Sequence, residues 1–497
     1  MHTTTAAPAQ RAHHTAAHHH AEPVPHADPD IGSRRPWTVL AVALTAQILV
    51  VLDISVVNTA LPSIAQSLRL GSSDLQWLVT AYLMLSGGGL LLGGRIADLL
   101  PRRTVFLTGL SVFTVASLFS GFAASSGQLI AARATQGLAA ALMTPAALSI
   151  VMTTYTGAQR KKGLALWGAV GSLSVAVGVL VGGALTTWGS WHLIFWINGP
   201  IGAVAYLVAR KSLPRDAATP AGLSQFDLPG AVTVLGGLSA LMFGLGGTGT
   251  DGWASARTLT SLTLAGVLLS AFVLIERRSE RPLIPTHTWK VSSLVSGTAV
   301  MAGVTGILVG TVFLASLFFQ TVLGFSALRA GVAFLPLAFA ITAGTHVART
   351  LLAHAAPRTI AAAGMVLTAA GAALLSMAPE SAHYAPDLLP GLVVLGLGVG
   401  MTFVPVSVSA MAGIPHQHAG MASGFLMTGH EVGAALGVAV LSAVATGAGS
   451  LTSRAGVAAG FSSGFVAAAV LAVLVAIVAQ LRMPAARITP GAGMHLH

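Results

Sequence analysis

The sequence predicts an all-α integral membrane protein, both from its composition and from its long apolar runs. Hydrophobic residues make up 54% of the 497-residue chain, charged residues only 8%, and the mean hydropathy is +0.80. A soluble domain carries roughly 25% charged residues, so this chain cannot cover itself with a hydrated surface. The chain has no cysteine, which excludes disulfides, thiolate catalysis and cysteine-ligated metals.

Fourteen apolar runs are each long enough for a spanning helix, which needs about 20 residues. Loops marked by Gly, Pro or charged residues separate them, as in "LPRRT" and "TGAQRKK". The even number of runs places both termini on the same side of the membrane. In order, the runs cover residues 37–60, 75–97, 104–123, 128–154, 163–185, 192–210, 229–247, 257–275, 294–319, 330–353, 358–378, 387–411, 420–446 and 457–481.

The basic residues indicate which side is the cytoplasm. With both termini inside, most arginines and lysines of the loops lie on the cytoplasmic side, as the positive-inside rule requires. The arginines in the outer half are Arg69, Arg133, Arg257, Arg329 and Arg454. The net charge of +11 therefore reflects membrane topology, and a nucleic-acid partner has no support. We expect a multi-pass protein in the lipid bilayer of a bacterial cytoplasmic membrane.

Residues 1–35 differ from the rest of the chain, because "HHTAAHHHAEPVPHADPD" is rich in His, Ala and Pro. This segment lacks the apolar core of a signal peptide, and we expect a disordered cytoplasmic tail. Weak binding of a transition metal by the histidines is the alternative interpretation. Residues 483–497 form a second cytoplasmic tail.

Three charged residues lie well inside the runs: Asp53, Arg133 and Glu431. A charge at the bilayer centre costs about 2.5–3.5 kcal/mol on insertion scales, so each is a functional candidate. With a rise of ~1.5 Å per residue, Asp53 and Arg133 lie about 12 and 8 Å below the outer ends of their helices, and they can meet if those helices are neighbours. Glu431 lies close to the midplane, beside His430.

Each of these charges has a structural and a functional interpretation. Asp53 and Arg133 form either a static ion pair that joins two helices or a carboxylate whose protonation the arginine controls. Glu431 is either a neutral, hydrogen-bonded carboxyl or a group that binds a cationic substrate or a second proton.

Glycine stripes predict close contacts between helices. In "GSLSVAVGVLVGG", Gly178 and Gly182 are four residues apart, and in "GMASGFLMTGHEVGAALG" Gly429, Gly433 and Gly437 repeat at the same spacing. Residues four apart share one helical face, where small side chains let membrane helices approach. Packing alone explains most such glycines, and a smooth face also permits the sliding that a transporter needs.

The remaining patterns favour a transporter over an enzyme. The segments "RRTVFLTG" and "PRTIAAAG", after the second and tenth runs, share an Arg-Thr pair and a glycine at the same spacing. Duplicated halves are the usual build of secondary transporters. The intramembrane histidines His346, His354 and His430 are scattered over the runs, and no Gly-Lys-Ser/Thr phosphate loop is present. Within the fourteen runs, the sequence therefore predicts no enzyme active site and no metal site, and it gives no support to an ATP-driven pump.

Several motifs occur in order along the chain, and through them it resembles the major facilitator superfamily, specifically the branch of fourteen-helix drug:proton antiporters. The stretch "LDISVVNTALP" resembles that branch's motif of helix 1. The stretch "RATQGLAAALMTP" resembles the motif of helix 4 at Arg133, Gln136 and Gly137. The stretches "WHLIFWINGPIG", with His192 in place of the common arginine, and "LFFQTVLGFSALRAG" are similar to the entry of helix 6 and to the segment between helices 9 and 10.

Two further motifs match with departures. The stretch "AVGVLVGG" resembles the antiporter motif of helix 5, with Val179 where a proline is usual; its matching glycines are Gly178, Gly182 and Gly183. The stretch "GGRIADLLPRR" resembles the superfamily's loop between helices 2 and 3, with Leu99 and Pro101 in place of an arginine and a glycine. Its matching residues are Gly94, Asp98, Arg102 and Arg103.

The resemblance implies a major facilitator fold with 14 transmembrane helices. Two pseudo-symmetric six-helix halves would cover residues 36–212 and 291–482, with two inserted helices and their loops at 213–290. Asp53, Arg133 and Glu431 would serve proton coupling. Gly94, Asp98, Arg102 and Arg103 would form a cytoplasmic latch near the start of the thirteenth helix. The candidates for lining the substrate cavity are Asn58, Gln136, Gln320, His430 and Glu431.

The resemblance also implies a function, which is proton-coupled efflux of drugs or antibiotics by alternating access. The expected partners are protons and a small hydrophobic drug, and Glu431 favours a cation, while apolar and anionic substrates stay open. We expect a monomer with no cofactor beyond the proton gradient. The alternative is proton-linked or facilitated uptake or export of a metabolite by the same fold.

Overall fold

The computed structural model describes residues 1–3, 36–155, 157–213, 227–279, 282–283, 291–412, 414 and 419–485. Over these residues every regular element is helical, and most of both predicted tails lies outside them. The α-helices are α1 Pro36–Leu68, α2 Ser72–Leu99, α3 Arg102–Ser120, α4 Ser126–Thr154, α5 Gly157–Trp188, α6 Leu193–Trp196, α7 Asn198–Ser212, α8 Leu228–Asp251, α9 Ala256–Arg278, α10 Ser292–Leu317, α11 Ala327–Ala333, α12 Leu335–Leu351, α13 Pro357–Ser376, α14 Leu389–Met411, α15 Ala419–Ala448 and α16 Arg454–Arg482. Two π-helical turns, Phe318–Val322 and Tyr384–Leu388, extend α10 and precede α14.

Eleven helical stretches of the described residues are long and apolar enough to cross a membrane. Each predicted run overlaps one helix or two consecutive ones; the sixth run overlaps α6 and α7, and the tenth overlaps α11 and α12. The first helix continues through Pro62 to Leu68, beyond the predicted end at residue 60. A proline is tolerated inside a membrane helix where a neighbouring helix satisfies the carbonyl that it leaves free.

The same pairing of helices occurs twice along the chain. In the N-terminal group, α1–α7, the packed pairs are α2 with α4, α3 with α4, α1 with α5 and α3 with α7. In the C-terminal group, α10–α16, the corresponding pairs are α12 with α14, α13 with α14, α10 with α15 and α13 with α16. The two groups are therefore built on one pattern.

Among the described helices, the two groups meet along four pairs: α2 with α15, α1 with α10, α1 with α11, and α5 with α11. The contacts of α1 and α5 lie near the end of the bundle at which α1 ends and α2 begins, here called the distal end. The helices α8 and α9 pack against each other, and α8 also packs against both α2 and α15. This pair therefore flanks one junction between the two groups.

Glycines set the closest approaches in the interior. A Cβ at Gly433 would clash with Ala302 of α10, and one at Gly437 would clash with the backbone of Gly306. The predicted stripe on this helix is thus a contact face against α10, within the C-terminal group. Small residues at such crossings let backbones approach where no hydrophobic effect drives association.

Candidate functional site

Asp53 and Arg133 are brought together in the interior of the N-terminal group. The Arg133 side chain is 2% exposed and that of Asp53 is 1% exposed, and Nη1 of Arg133 donates to Oδ2 of Asp53. The two residues lie on α1 and α4. The depth estimate from the sequence placed these two residues at similar levels in the membrane. A carboxylate that faces a guanidinium in a dry interior is stabilised in its charged form by that neighbour and destabilised by burial.

Three further groups hold the arginine. Its Nε donates to the carbonyl of Leu78 at 3.3 Å, and its Nη1 also donates to Oε1 of Gln136 at 3.1 Å. The guanidinium carbon lies 4.3 Å from the centre of the Tyr82 ring, a cation–π contact. Arg133 thus keeps partners on α2 and α4 even when the charge of Asp53 is neutralised.

The second carboxylate oxygen of Asp53 accepts from two side-chain amides. Nε2 of Gln136 and Nδ2 of Asn198 each lie 3.3 Å from Oδ1. Nδ2 of Asn198 also donates to Oγ of Ser117 at 3.0 Å, and that hydroxyl donates to the carbonyl of Phe195 at 2.9 Å. The carboxylate therefore links α1 to α3, α4 and α7.

Sequence reasoning missed Asn198, Ser117 and Tyr82. Each is an uncharged polar residue in an apolar run, and such residues are too common in membrane helices to stand out. A signal was nevertheless present, because the chain has only two asparagines, Asn58 and Asn198, and both lie inside predicted spans. Gln136, a candidate for the substrate cavity, is fully buried beside Asp53 instead.

Glu431 occupies a second site, at the junction of α2 and α15. Its Oε2 accepts from Oγ of Ser86 at 3.4 Å, and Nδ1 of His430 lies 3.5 Å from its Oε1. The side chains of Glu431 and His430 are 15% and 36% exposed, so both are partly accessible. The Phe403 ring centre lies 6.2 Å from that of His430. A carboxylate, an imidazole and an aromatic ring can together accommodate a cationic or aromatic ligand.

The glycines of α5 allow α1 to pack closely against α5. A Cβ at Gly178 would come within 2.8 Å of the Ser55 Cβ, and one at Gly182 would come within 2.8 Å of the Val56 Cα. Gly183 faces the other group, where a Cβ would lie 2.6 Å from the Cα of Leu328 on α11. The motif thus packs α5 against the helix of Asp53 and against the C-terminal group at once.

The two groups are also joined by hydrogen bonds at the distal end. Oγ of Ser316 donates to the carbonyl of Asn58 at 2.6 Å, and Nε2 of Gln320 donates to the carbonyl of Thr59 at 2.9 Å. The Asn58 carbonyl is available because its usual helical partner would be the N–H of residue 62, which is Pro62 and has none. Asn58 and Gln320, both cavity candidates, therefore lie in a closed contact in this conformation.

The described part of the predicted latch lies within the N-terminal group. Arg103 donates from Nη2 to the carbonyl of Arg210, near the end of α7, at 2.5 Å. Arg102 is the first residue of α3, and a Cβ at Gly94 would meet open space. The side chain of Asp98 and the chain at 415–418, just before α15, lie outside the described residues. The predicted contact between them stays a prediction.

Comparisons with known proteins agree with the family that the sequence motifs resemble. Residues 43–438 match the family model described as Major Facilitator Superfamily. The chain is 39% identical to the puromycin resistance protein pur8 of Streptomyces alboniger, over 83% of this chain and 82% of that protein. It is 36% identical to the cephamycin export protein CmcT of Amycolatopsis lactamdurans, over 92% and 95% of the two chains. A bacterial homolog of the human lysosomal transporter Spinster, crystallised in an inward-facing, unoccupied conformation, shares the fold with a TM-score of 0.65 at 17% identity, over 91% of this chain and 97% of that chain.

Proposed function

Because the chain belongs to the major facilitator superfamily, we propose that it is an antiporter that exports a drug or antibiotic in exchange for a proton. The observation that carries this proposal is the buried ion pair between Asp53 and Arg133. A buried ion pair contributes little net stability compared with apolar residues of the same size. Charges that are nevertheless present in a membrane interior are functional candidates by default. The resistance and export proteins among the relatives support an exported drug as the cargo.

The proposed proton-binding residue and the contact that must open both lie on α1. Protonation of Asp53 removes the charge that faces Arg133, while Arg133 keeps its bonds to Leu78 and Gln136. Five residues further along α1, Asn58 makes the distal contact with the C-terminal group. Loading or releasing the proton therefore changes how α1 is held within its own group, next to the contact that must break when the distal end opens.

The direction of exchange depends on which end of the bundle faces the outside of the cell. In this proposal all fourteen runs cross the membrane, both termini are cytoplasmic, and the distal end faces outside. The distribution of basic residues supports this orientation. The closed distal contacts then correspond to a conformation that is shut towards the outside, from which drug is taken up on the cytoplasmic side or from the inner leaflet.

The charge of the substrate decides how much energy one proton supplies. For a neutral drug, one proton that enters down ~100 mV supplies roughly 2.3 kcal/mol. That is enough for a roughly 40-fold concentration ratio. For a monovalent cation, one-for-one exchange moves no net charge and gains nothing from the membrane potential. Glu431 supports a cationic substrate. If a second proton is carried at Glu431, exchange of two protons for one monovalent cation moves one net charge inward, and the membrane potential again contributes to transport.

Asp53→Asn tests the proposal, because an amide keeps the shape of the carboxyl but cannot exchange a proton. In proteoliposomes that contain puromycin or cephamycin as probes, we expect transport driven by a pH gradient to be lost. Exchange of labelled for unlabelled drug without a gradient should persist, since it needs no proton. Ser111→Ala is the control, because among the described residues the Ser111 hydroxyl donates to the Leu107 carbonyl of its own helix. Gradient-driven transport by Asp53→Asn would contradict the assignment.

A further inference from the structure

We propose that Tyr82 is a positioning residue that makes a proton on Asp53 and an organic cation at Glu431 exclude each other. The inference rests on the proposed function, because it takes Asp53 as the group that binds the proton and Glu431 as the group that attracts a cationic substrate. Tyr82 lies on α2 and is fully buried. None of the sequence patterns considered above singles it out.

On one side, Tyr82 is fixed against Arg133. The face of its ring lies under the guanidinium, with 4.3 Å between the ring centre and the guanidinium carbon. The backbones approach closely here, because a Cβ at Gly137, one turn after Arg133 on α4, would clash with the Tyr82 carbonyl. The Tyr82 hydroxyl reaches α1, where it lies 3.5 Å from the carbonyl of Val50. Tyr82 therefore touches both the partner of Asp53 and the helix that carries Asp53.

On the other side, the same stretch of α2 meets Glu431. Ser86, one helical turn after Tyr82, donates from Oγ to Oε2 of Glu431 at 3.4 Å. A Cβ at Gly87 would lie 2.6 Å from the Cβ of Glu431, so α2 and α15 are in direct contact here. Tyr82 and Ser86 are only about 6 Å apart along the helix. One short segment of a single helix therefore joins the two sites.

The charges of the two sites leave room for one further positive charge. Asp53, Arg133 and Glu431 are the charged side chains well inside the predicted runs, and all three act on the Tyr82 hydroxyl. With His430 neutral, two carboxylates and one guanidinium sum to one negative charge. One proton on Asp53 or one monovalent cation at Glu431 makes this sum zero, whereas both together leave a net positive charge. Uncompensated charge is costly in an apolar interior, so one occupant is favoured over two.

Tyr82 keeps this exclusion strong because it holds the guanidinium away from water. When Asp53 takes up a proton, Arg133 loses its counter-ion, and the Tyr82 ring and the Leu78 carbonyl remain among its partners. A cation binds an aromatic face more strongly where water is absent, and charges also interact more strongly there. A smaller aliphatic side chain in place of Tyr82 would leave room for water beside the guanidinium. That water would screen Arg133 from a cation at Glu431.

The other described charges near α2 lie towards helix ends. The helices that pack against α2 are α1, α3, α4, α8 and α15. Apart from the two sites with His430, their described charged side chains are Arg102 and Arg103 at the start of α3 and Asp251 at the end of α8. On α2 itself, Asp74 and Arg95 lie about 12 and 20 Å from Tyr82 along the helix. The two sites therefore dominate the charge around Tyr82.

A double-mutant cycle on ligand binding tests the inference. Asp53→Asn removes the charge of the carboxylate as a proton does, and tetraphenylphosphonium is a permanent monovalent cation. In the full-length protein in lipid nanodiscs, at one alkaline pH and without a gradient, we expect Asp53→Asn to raise the Kd of this probe roughly tenfold, as is typical of coupled sites. In a Tyr82→Leu background, the same change should raise the Kd by less than about threefold.

Tyr82→Phe separates coupling from folding. It keeps the ring over the guanidinium and removes the hydroxyl near Val50, so Asp53→Asn should again raise the Kd roughly tenfold. Tyr82→Met is a second variant without a ring, with a flexible side chain that adapts to the space if the leucine variant does not fold. A Ser111→Ala background is the control and should keep the full effect of Asp53→Asn.

A full effect of Asp53→Asn in Tyr82→Leu or Tyr82→Met would overturn the inference. Its absence in the wild-type or Tyr82→Phe background would do the same, as would a wild-type protein that does not bind tetraphenylphosphonium. The proposed function is judged separately. Gradient-driven transport by Asp53→Asn contradicts that function, whereas the binding cycle uses no gradient.

Discussion

At the scale of single residues, the two carboxylates that lie well inside the predicted runs, Asp53 and Glu431, have different surroundings. Asp53 is almost fully enclosed and paired with Arg133, whereas Glu431 is partly accessible and, among the described residues, is bonded to the Ser86 hydroxyl and lies beside the His430 imidazole. The first arrangement suits proton exchange with a fixed counter-ion. The second suits a ligand, because an accessible carboxylate without a cationic side chain among its described partners can attract a cation from a cavity.

Glu431→Gln should therefore separate substrates by charge. Transport of the permanent cation tetraphenylphosphonium should fall at least tenfold, because the amide offers no net attraction, while transport of the neutral drug chloramphenicol should change little. Uptake of both probes into inverted vesicles measures this. Glu431→Asp keeps the charge and should retain most of the cation transport. Equal losses for both probes would show that Glu431 acts on the transport cycle and not on the charge of the substrate.

The sequence revealed these charged residues because a charge in an apolar run stands out by itself. Their partners were harder to predict. Arg133 could be paired with Asp53 because the length of each run gives the depth of a residue. Asn198 and Ser117 could not, since depth does not reveal which face of α3 or α7 turns towards α1. The interior role of Gln136 was hidden for the same reason.

At the scale of helices, glycine positions decide which pairs come close. On α15, Gly433 and Gly437 leave no space for a Cβ against α10, whereas a Cβ added at Gly447 of the same helix would meet no atom of the described residues within 4 Å. The stripe was predicted from its spacing of four residues, but its partner helix was not. Spacing identifies a contact face, and only the packed structure shows what lies against it.

Gly437→Ala and Gly447→Ala form a matched pair for this contact. The first methyl group would clash with the backbone of Gly306, and overpacking of this kind costs typically about 1–3 kcal/mol. The second enters open space, where alanine favours a helix by up to about 1 kcal/mol over glycine. Thermal unfolding in detergent should show a lower melting temperature for Gly437→Ala and an equal or higher one for Gly447→Ala. Equal melting temperatures in the two variants would rule out a tight contact.

The end of α1 shows why the boundaries of helices were harder to predict than the helices themselves. Pro62 is a common helix terminator, and the predicted run stops at residue 60. The helix continues because Ser316 of α10 satisfies the carbonyl that the proline leaves free. A donor that lies 258 residues away along the chain cannot be inferred from local sequence.

At the scale of the whole molecule, the two groups are held together at the distal end by few polar bonds. Ser316 and Gln320 donate to backbone carbonyls of α1, and the Leu328 N–H of α11 donates to the Thr187 hydroxyl of α5 at 3.0 Å. A single hydrogen bond contributes about 0.5–1.5 kcal/mol. Such contacts can be broken and remade within a transport cycle, which a large apolar interface would not permit as readily.

Ser316→Ala should shift the conformational equilibrium towards opening at the distal end, by roughly two- to tenfold for the loss of one bond. The chain has no cysteine, so cysteines introduced at Ser67 and Arg329, both exposed near the distal end, carry the only spin labels. Electron–electron distance measurements between these two labels should then show a larger population of long distances in Ser316→Ala than in the protein that keeps Ser316. Ser296→Ala is the control on the same helix, because the Ser296 hydroxyl bonds within α10. Unchanged distance distributions in Ser316→Ala would exclude this bond as a determinant of closure.

The position of α8 has a further consequence for the surrounding lipid. Since α8 touches both α2 and α15, it lies across the line along which the two groups would part on that flank. Gly88 of α2 receives Leu235 of α8, and α9 packs on α8 with few buried residues of its own, so that the pair presents an apolar wall to the acyl chains. On this flank, a molecule dissolved in the bilayer therefore meets the pair of α8 and α9 before the junction of α2 with α15.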